Sequence, residues 1–544
     1  MRSVESTAPD AAPDAASVSS RRRAALNARA LISGASWMSG ANFVAQAFSY
    51  CSLIVLASIL PPDSFGIVAT GTAIVWVACM LMGAGVQGGV IVSRQLTHES
   101  LRQAFWRCLL ASFVLAVAMA GAAKWLVGAV ANGGDASALT ALSLALPLYA
   151  VALIPMAVLQ REMEFGTLAR ITAGSNVGAA AVAVVAGLAG AGVWALVVRQ
   201  LLWFTLLAAL AVAVARPYLP SRYRGLGHAD ETESRPVGNR WFLLFAVTLL
   251  LGMNVDYFVI GGMSDVGDVG LYAVAFLIAF APLQQFSSEV GKVLFAAAAA
   301  SDLESSGMRT VRAVRLMSIL LLPLLPVAIV LAPPLFPFLL GHEWSGMVAP
   351  FQVLLVVGIG QAIVNFVGEA LSGLGEIAFR AKVNVAWCAA TLVALLVLVR
   401  ADGIRGAALA HLVVFVPYAA VYATVGARRA GTSTRELWRA IRPIALAVGW
   451  QSAATAAVAV GLSGAGAAEG LAACAGAVVG LLVIAVILGL GQRSPAREAV
   501  AVLRDAFAGS RSAPSSPGIR RGEPDALARS KNPARRHSYR GSEG

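Results

Sequence analysis

Apolar runs of spanning length follow one another through this 544-residue chain, broken by abrupt corners such as "SILPPDSFGIVATG" at residues 58–71. A bilayer core takes roughly 20 apolar residues per helical crossing, and fourteen runs of about that length can be read between residues 31 and 490. Lipid offers no partner to backbone N–H and C=O groups, so each run must close its hydrogen bonds within itself, as a helix. Composition agrees. The chain is 58% hydrophobic and 13% charged, where soluble chains carry about 25% charged residues. The sequence therefore predicts an all-α integral membrane protein of about 14 transmembrane helices.

The positions of the basic residues predict its orientation. Of 41 lysines and arginines, 36 fall in alternate connections and in the two ends, whereas the intervening connections hold only Arg400 and Arg405. Basic residues mark the cytoplasmic side, so both termini are expected there. The corner at Asp63 is then expected outside. The net charge of +13 is spent on this asymmetry and gives no support to a nucleic-acid partner. Membrane lipids are the expected surroundings, with the basic tail near anionic headgroups.

A repeat is legible. The corner "SFGIVA" (64–69) matches "DVGLYA" (268–273), placing Gly66 opposite Gly270. "GAGVWALV" (190–197) resembles "GIRGAALA" (403–410), an offset of 213, and Glu164…Arg170 is echoed by Glu376…Lys382, an offset of 212. Each offset covers about six helices. Six crossings bring the chain back to the same side, so the two copies run parallel and are related by a pseudo-twofold along the membrane normal, with ligand sites between them. The expected organisation is a disordered cytoplasmic segment 1–29, an N-lobe 30–214 and a cytoplasmic linker 215–239. A C-lobe 240–425, a loop with two further helices 426–490, and a basic cytoplasmic tail 491–544 complete it.

Catalytic signatures are missing from the sequence. "GAGVQG" (83–88) satisfies G-x-G-x-x-G, but it ends an apolar span and follows no strand, which suits helix packing better than a dinucleotide. No G-x-x-x-x-G-K-[ST] or G-x-S-x-G occurs, the five histidines are scattered, and the five cysteines lie far apart within apolar runs. No cofactor, no metal and no enzymatic activity are expected.

With these features on the page, the chain resembles the Wzx-type polysaccharide flippases of the MOP (MATE-like) superfamily. The resemblance rests on "LPPDSFGIVATG", "EFGTLARI", "GAGVWALVVRQL" and "NVDYFVIGGMSDVGDVGLYAVA", within residues 30–430. It implies two six-helix lobes, two extra carboxy-terminal helices, and alternating access. It also implies transfer of undecaprenyl-diphosphate-linked oligosaccharide between leaflets, with a polysaccharide polymerase and chain-length or export components as partners. A MATE-like cation or drug exporter shares the two-lobe plan, and a membrane-embedded polymerase or ligase is a third reading. The short outer connections count against that third reading.

Charged side chains inside spans cost about 2.5–3.5 kcal/mol on insertion scales and mark function by default. Arg199, Asp256 and Lys124 are expected in one layer toward the outer side, and Glu289 and Lys292 on one helical face toward the inner side. One reading lines the cleft with Arg199, Lys292 and Lys124, which attract a diphosphate, as arginine's fork does bidentately. Asp256 or Glu289 would then carry a coupling proton or sodium ion. The other pairs Arg199 with Asp256 and Glu289 with Lys292, and lets Lys124 snorkel. Asn42, Gln46, Asn176, Gln200, Asn254 and Asn365 are expected to hydrogen-bond between helices. Pro147, Pro155, Pro282, Pro323, Pro326 and Pro417 are expected to kink spans.

Overall fold

The computed structural model describes residues 45–92, 98–130, 136–162, 164–216, 240–299 and 302–489. The expected segments 1–29 and 491–544, Asn42 and nearly all of the linker lie outside these residues. The described residues fall in one compact unit, Met1–Val500, and they are helical almost throughout.

The first repeat comprises α1 (Ala45–Ala57), α2 (Pro62–Val92), α3 (His98–Val130), α4 (Ala136–Leu142), α5 (Ala145–Arg161), α6 (Phe165–Leu188) and α7 (Val193–Ala215). The second comprises α8 (Arg240–Gly252), α9 (Val255–Met263), α10 (Val266–Ala279), α11 (Ala281–Ala299), α12 (Leu303–Leu321), α13 (Leu324–Leu340), α14 (Val348–Gly373) and α15 (Ile377–Val421). A π-turn at Tyr422–Gly426 and a short α16 (Ala427–Arg429) follow, and α17 (Thr434–Gly464) and α18 (Glu469–Gly489) pack on each other.

Twelve described stretches are long and apolar enough to cross a membrane, where the sequence predicted fourteen. One of the twelve, Ile377–Arg429, runs for 53 residues and is broken by non-helical backbone at Asp402 and Gly403, where the sequence places a boundary between spans. Ala45–Ala57, the described part of the first expected span, is shorter than a crossing. Proline accounts for several bends. Pro147 lies just beyond the turn at 143–144, Pro282 follows the bend at Phe280, and Pro323 sits where α12 gives way to α13. Pro155, by contrast, lies inside the unbroken α5, and Pro417 lies in the helical part of α15 that follows its break at Asp402 and Gly403.

The repeat is written in the backbone. Gly192, before α7, has φ 57° and ψ −137°, and Gly403, at the break in α15, has φ 52° and ψ −133°. Side chains forbid that region, so glycine is required at both points. The match aligns Gly403 with Gly192 rather than Gly190, which corrects the sequence offset of 213 to 211. Both copies also turn in the same way before their next helix. The Glu164 amide donates to Leu159 O at 3.0 Å, and the Glu376 amide to Leu371 O at 2.8 Å. That pair keeps the offset of 212 read from the sequence.

The two copies meet at the start of α2 and α10. A Cβ on Gly66 would overlap the Val266 carbonyl oxygen, and a Cβ on Gly270 would overlap the Pro62 carbonyl oxygen. The contact is thus made twice with the roles exchanged, the self-complementary pattern that a twofold relation produces. Here glycine permits the backbones to touch. One apolar core joins α1 and the start of α2 to α9–α15, with Phe65 edge-on to Trp344 at 5.3 Å between centroids. A second core lies within the first repeat, from Ile67 to Ala215. Past the bend at Phe280, α11 packs on α14. The corner nearest the contact holds a hollow of about 440 Å³ lined by Pro62, Asp63, Asp265 and Asp268 among others.

Candidate functional site

In the first repeat, α7 carries Arg199, Gln200 and Trp203 within one turn, facing α1, α2 and α6. Arg199 is half-buried. Its electrostatic neighbour is Tyr50 on α1, which in turn hydrogen-bonds Gln46. Ser49 on α1 donates to Asn176 Oδ1 on α6 at 2.5 Å. Gln46 therefore bonds within its own helix, whereas Asn176 ties two helices together as expected. Gln200 Nε2, Trp203 Nε1 and Ser175 Oγ are buried without a partner among the described residues. The Trp203 ring lies against Trp76 of α2, with centroids 5.5 Å apart. Among the described residues no carboxylate pairs with Arg199.

In the second repeat Asp256, on α9, is fully buried. Its Oδ2 lies 3.5 Å from His411 Nε2 on α15, and its Oδ1 accepts from the Tyr257 amide at 3.1 Å. The Tyr272 and Phe276 rings close this site. The expected pairing of Arg199 with Asp256 is therefore not made. Asp256 finds its partner 155 residues away within its own half, through packing that no spacing rule shows. Asp256 Oδ2 and His411 Nε2 make no hydrogen bond with each other, and neither bonds another atom among the described residues.

Glu289 and Lys292 on α11 form the expected pair, Lys292 Nζ to Glu289 Oε1 at 2.8 Å, with Gln285 Nε2 donating to the same oxygen at 3.2 Å. Lys292 is exposed and Glu289 mostly covered. Lys124, on α3, is exposed beside exposed Trp125, which suits the snorkelling alternative. The structure thus brings together Glu289 and Lys292, while Arg199, Asp256 and Lys124 lie in separate surroundings.

Sequence reading missed one cluster. Arg380, at the start of α15, counted as a loop charge, yet it is 6% exposed. Its Nη1 reaches Ser372 Oγ at 2.6 Å and Glu369 Oε1 at 3.3 Å, and its Nη2 reaches Asn365 Oδ1 at 3.4 Å. Asn365 donates to Ser287 Oγ on α11 at 3.3 Å, and the guanidinium stacks over Phe245 of α8 at 4.5 Å. A Cβ on Gly368 would press on the guanidinium, and one on Gly291 on Glu369. This clamp ties α8, α11, α14 and α15 together. The one available signal was Glu369 itself, an acid near the end of an apolar run that calls for a cation close by.

Fold and site together define a helical, multi-pass membrane protein of two parallel repeats with charges held between its helices. The chain belongs to the polysaccharide biosynthesis protein family, whose profile matches residues 55–349, more than half of its length. The Wzx-type resemblance carried by the corners holds. The lipopolysaccharide biosynthesis protein WzxC of Escherichia coli is 24% identical over 359 residues, covering 65% of this chain and 72% of that protein. The succinoglycan biosynthesis transport protein ExoT of Rhizobium meliloti is 23% identical over 378 residues, covering 65% and 75%. Among solved structures, lipid II flippase MurJ superposes with a TM-score of 0.64 at 10% identity over 87% of this chain and 99% of that one. A multidrug resistance MATE transporter of the MOP superfamily gives 0.56 at 15% identity, over 71% and 94%. These structural likenesses establish the fold.

Proposed function

We propose that this chain is a flippase for lipid-linked oligosaccharide. It moves undecaprenyl-diphosphate-linked repeat units from the cytoplasmic to the outer leaflet by alternating access, for surface or exopolysaccharide biosynthesis. In this reading the lobes 30–214 and 240–425 rock about the Gly66–Gly270 contact, the chain crosses fourteen times, and both termini face the cytoplasm of a bacterial inner membrane. It is a transporter and not an enzyme. A polymerase and chain-length or export components take up what it delivers.

The observation that carries the reading is the pairing pattern of the buried charges. Asp256 is held by His411, so Arg199 keeps no carboxylate among the described residues and is available to a diphosphate, whose oxygens its fork matches. Lys292 adds a second, exposed cation on α11. Asp256 with His411 is the candidate proton-coupling pair. Arg199 favours an anionic substrate over the cationic substrates of the exporter alternative.

Deleting the gene and assaying which leaflet holds the lipid-linked sugar tests this. Accumulation on the cytoplasmic leaflet is expected. Outward-facing, unpolymerised units would overturn flipping in favour of the polymerase reading.

A further inference from the structure

Tryptophan in a membrane protein normally marks the headgroup level, where its ring rests in the interface and its N–H stays wet. Trp76 and Trp203 do not. Trp76 lies fourteen residues into α2, about 21 Å from its start, and Trp203 lies ten residues into α7, about 15 Å from its start, at 1.5 Å per residue. Trp203 therefore sits near the middle of a hydrocarbon core about 30 Å thick, and Trp76 about two-thirds of the way across it. Their rings meet at 5.5 Å and 45°, and Phe204 and Tyr149 extend the aromatic cluster behind them. Trp76 nonetheless remains 38% exposed.

The direction of that exposure follows from helical geometry. Ten residues separate Trp76 from Gly66, and at about 100° per residue this turns Trp76 to within about 80° of the direction in which Gly66 meets α10. Trp76 thus stands beside the face of α2 that is turned toward the other half, near the level at which α10 ends and α11 leaves to pack on α14. Around it are hydrogen-bond donors with nothing to bond among the described residues. Trp203 Nε1 and Gln200 Nε2 are buried and unpaired among those residues, and Arg199 is one turn before Trp203. An acyl chain has no use for such donors. Buried, unmade hydrogen bonds carry a cost that persists only where something else repays it.

A flat aromatic face bordered by N–H donors and a cation matches one chemical class, a sugar ring, with apolar C–H groups on its faces and oxygens round its rim. We infer that Trp76, Trp203 and Gln200 form a saccharide subsite in the first repeat. The inference rests on the lipid-linked sugar reading above and refines it. Trp76 stacks on the face of the sugar that follows the diphosphate, Trp203 Nε1 and Gln200 Nε2 donate to its oxygens, and Arg199 holds the diphosphate one turn away.

The test uses the purified full chain in lipid nanodiscs and two probes, a synthetic polyprenyl-diphosphate disaccharide and the same polyprenyl diphosphate without sugar. Binding of each is measured for the wild type, Trp76→Leu, Trp203→Phe and Gln200→Leu. Trp203→Phe keeps a ring in place and removes only the N–H, so it guards against loss of packing. Weakening of the disaccharide probe by about tenfold or more in Trp76→Leu, and a smaller loss in the other two, is expected, with the sugar-free probe held within about twofold. Equal weakening of both probes, or no weakening of either, overturns the subsite and leaves the flippase reading standing. A wild-type chain that binds neither probe overturns the flippase reading and the subsite with it.

Discussion

Gly66 and Gly270 close the same contact from opposite sides. Gly66 lies under the Val266 carbonyl and Gly270 under the Pro62 carbonyl, 204 residues apart in sequence and equivalent in place. Because rigid backbone and not a flexible side chain fills the space, alanine at either position forces α2 and α10 apart. Gly66→Ala and Gly270→Ala should each lower stability by about 1–3 kcal/mol, by similar amounts, and impair export. Gly174→Ala on α6, where nothing lies within 4 Å, should instead be neutral or stabilising by up to about 1 kcal/mol. Thermal unfolding of the three variants in detergent checks this, and a neutral Gly270→Ala would refute the crossing.

The two equivalent glycines with φ near 55° make a second pair. Gly192→Ala and Gly403→Ala place a side chain in a forbidden region and should each cost about 1–3 kcal/mol. Parallel losses in unfolding midpoint are the expected result. A loss at one site only would break the equivalence.

Arg380 is held by Glu369, Ser372 and Asn365. Removing one partner of a buried pair costs about 3–5 kcal/mol, because the other charge stays behind unpaired. Arg380→Ala should therefore lower the amount of folded protein sharply, and the double variant Arg380→Met with Glu369→Gln should recover part of it. Arg380→Lys retains charge but loses the split fork and the stacking on Phe245, so it should fall between them. Protein level and unfolding midpoint are the measurements.

Asp256 and His411 are expected to act as a unit. Asp256→Asn and His411→Gln, alone and combined, should show an interaction energy of about 0.5–3 kcal/mol in a double-mutant cycle on unfolding. Both single variants should lose export. Strict additivity would mean that the two side chains are neighbours without coupling.

Neutralising Arg199 or Lys292 with glutamine should impair export without lowering protein level. The Lys292–Glu289 pair is largely exposed on its lysine side, and such pairs contribute about 0–1 kcal/mol, so loss of export there reports on transport rather than folding. Unchanged export in both variants removes these cations from the substrate path.

Local signals carried much of this structure into the sequence. The corner at Gly66 and its copy at Gly270 were legible because close backbone crossings demand glycine, and the neighbouring residues fixed the register. The second corner was misread by two positions, because "GAG" offers two glycines and only backbone angles show which one takes the forbidden conformation. Glu289 and Lys292 were legible as a pair because one helix joins them. Arg199 was recognised as an intramembrane cation, but spacing left open whether it pairs with Asp256 or stays without a carboxylate, as it does among the described residues. Glu369, Arg380 and His411 were missed as site residues. A charge near a span's end reads as a loop charge, and a histidine in an apolar helix gives no sign of its partner.

By itself the sequence determined the solvent, the secondary structure, the repeat and the family, since each depends on hydropathy or on residues a few positions apart. Tertiary packing alone decided which charges pair between helices. Electrostatic energy depends on distance and burial, and His411 comes to Asp256, like Trp203 to Trp76, only when helices distant in sequence lie side by side.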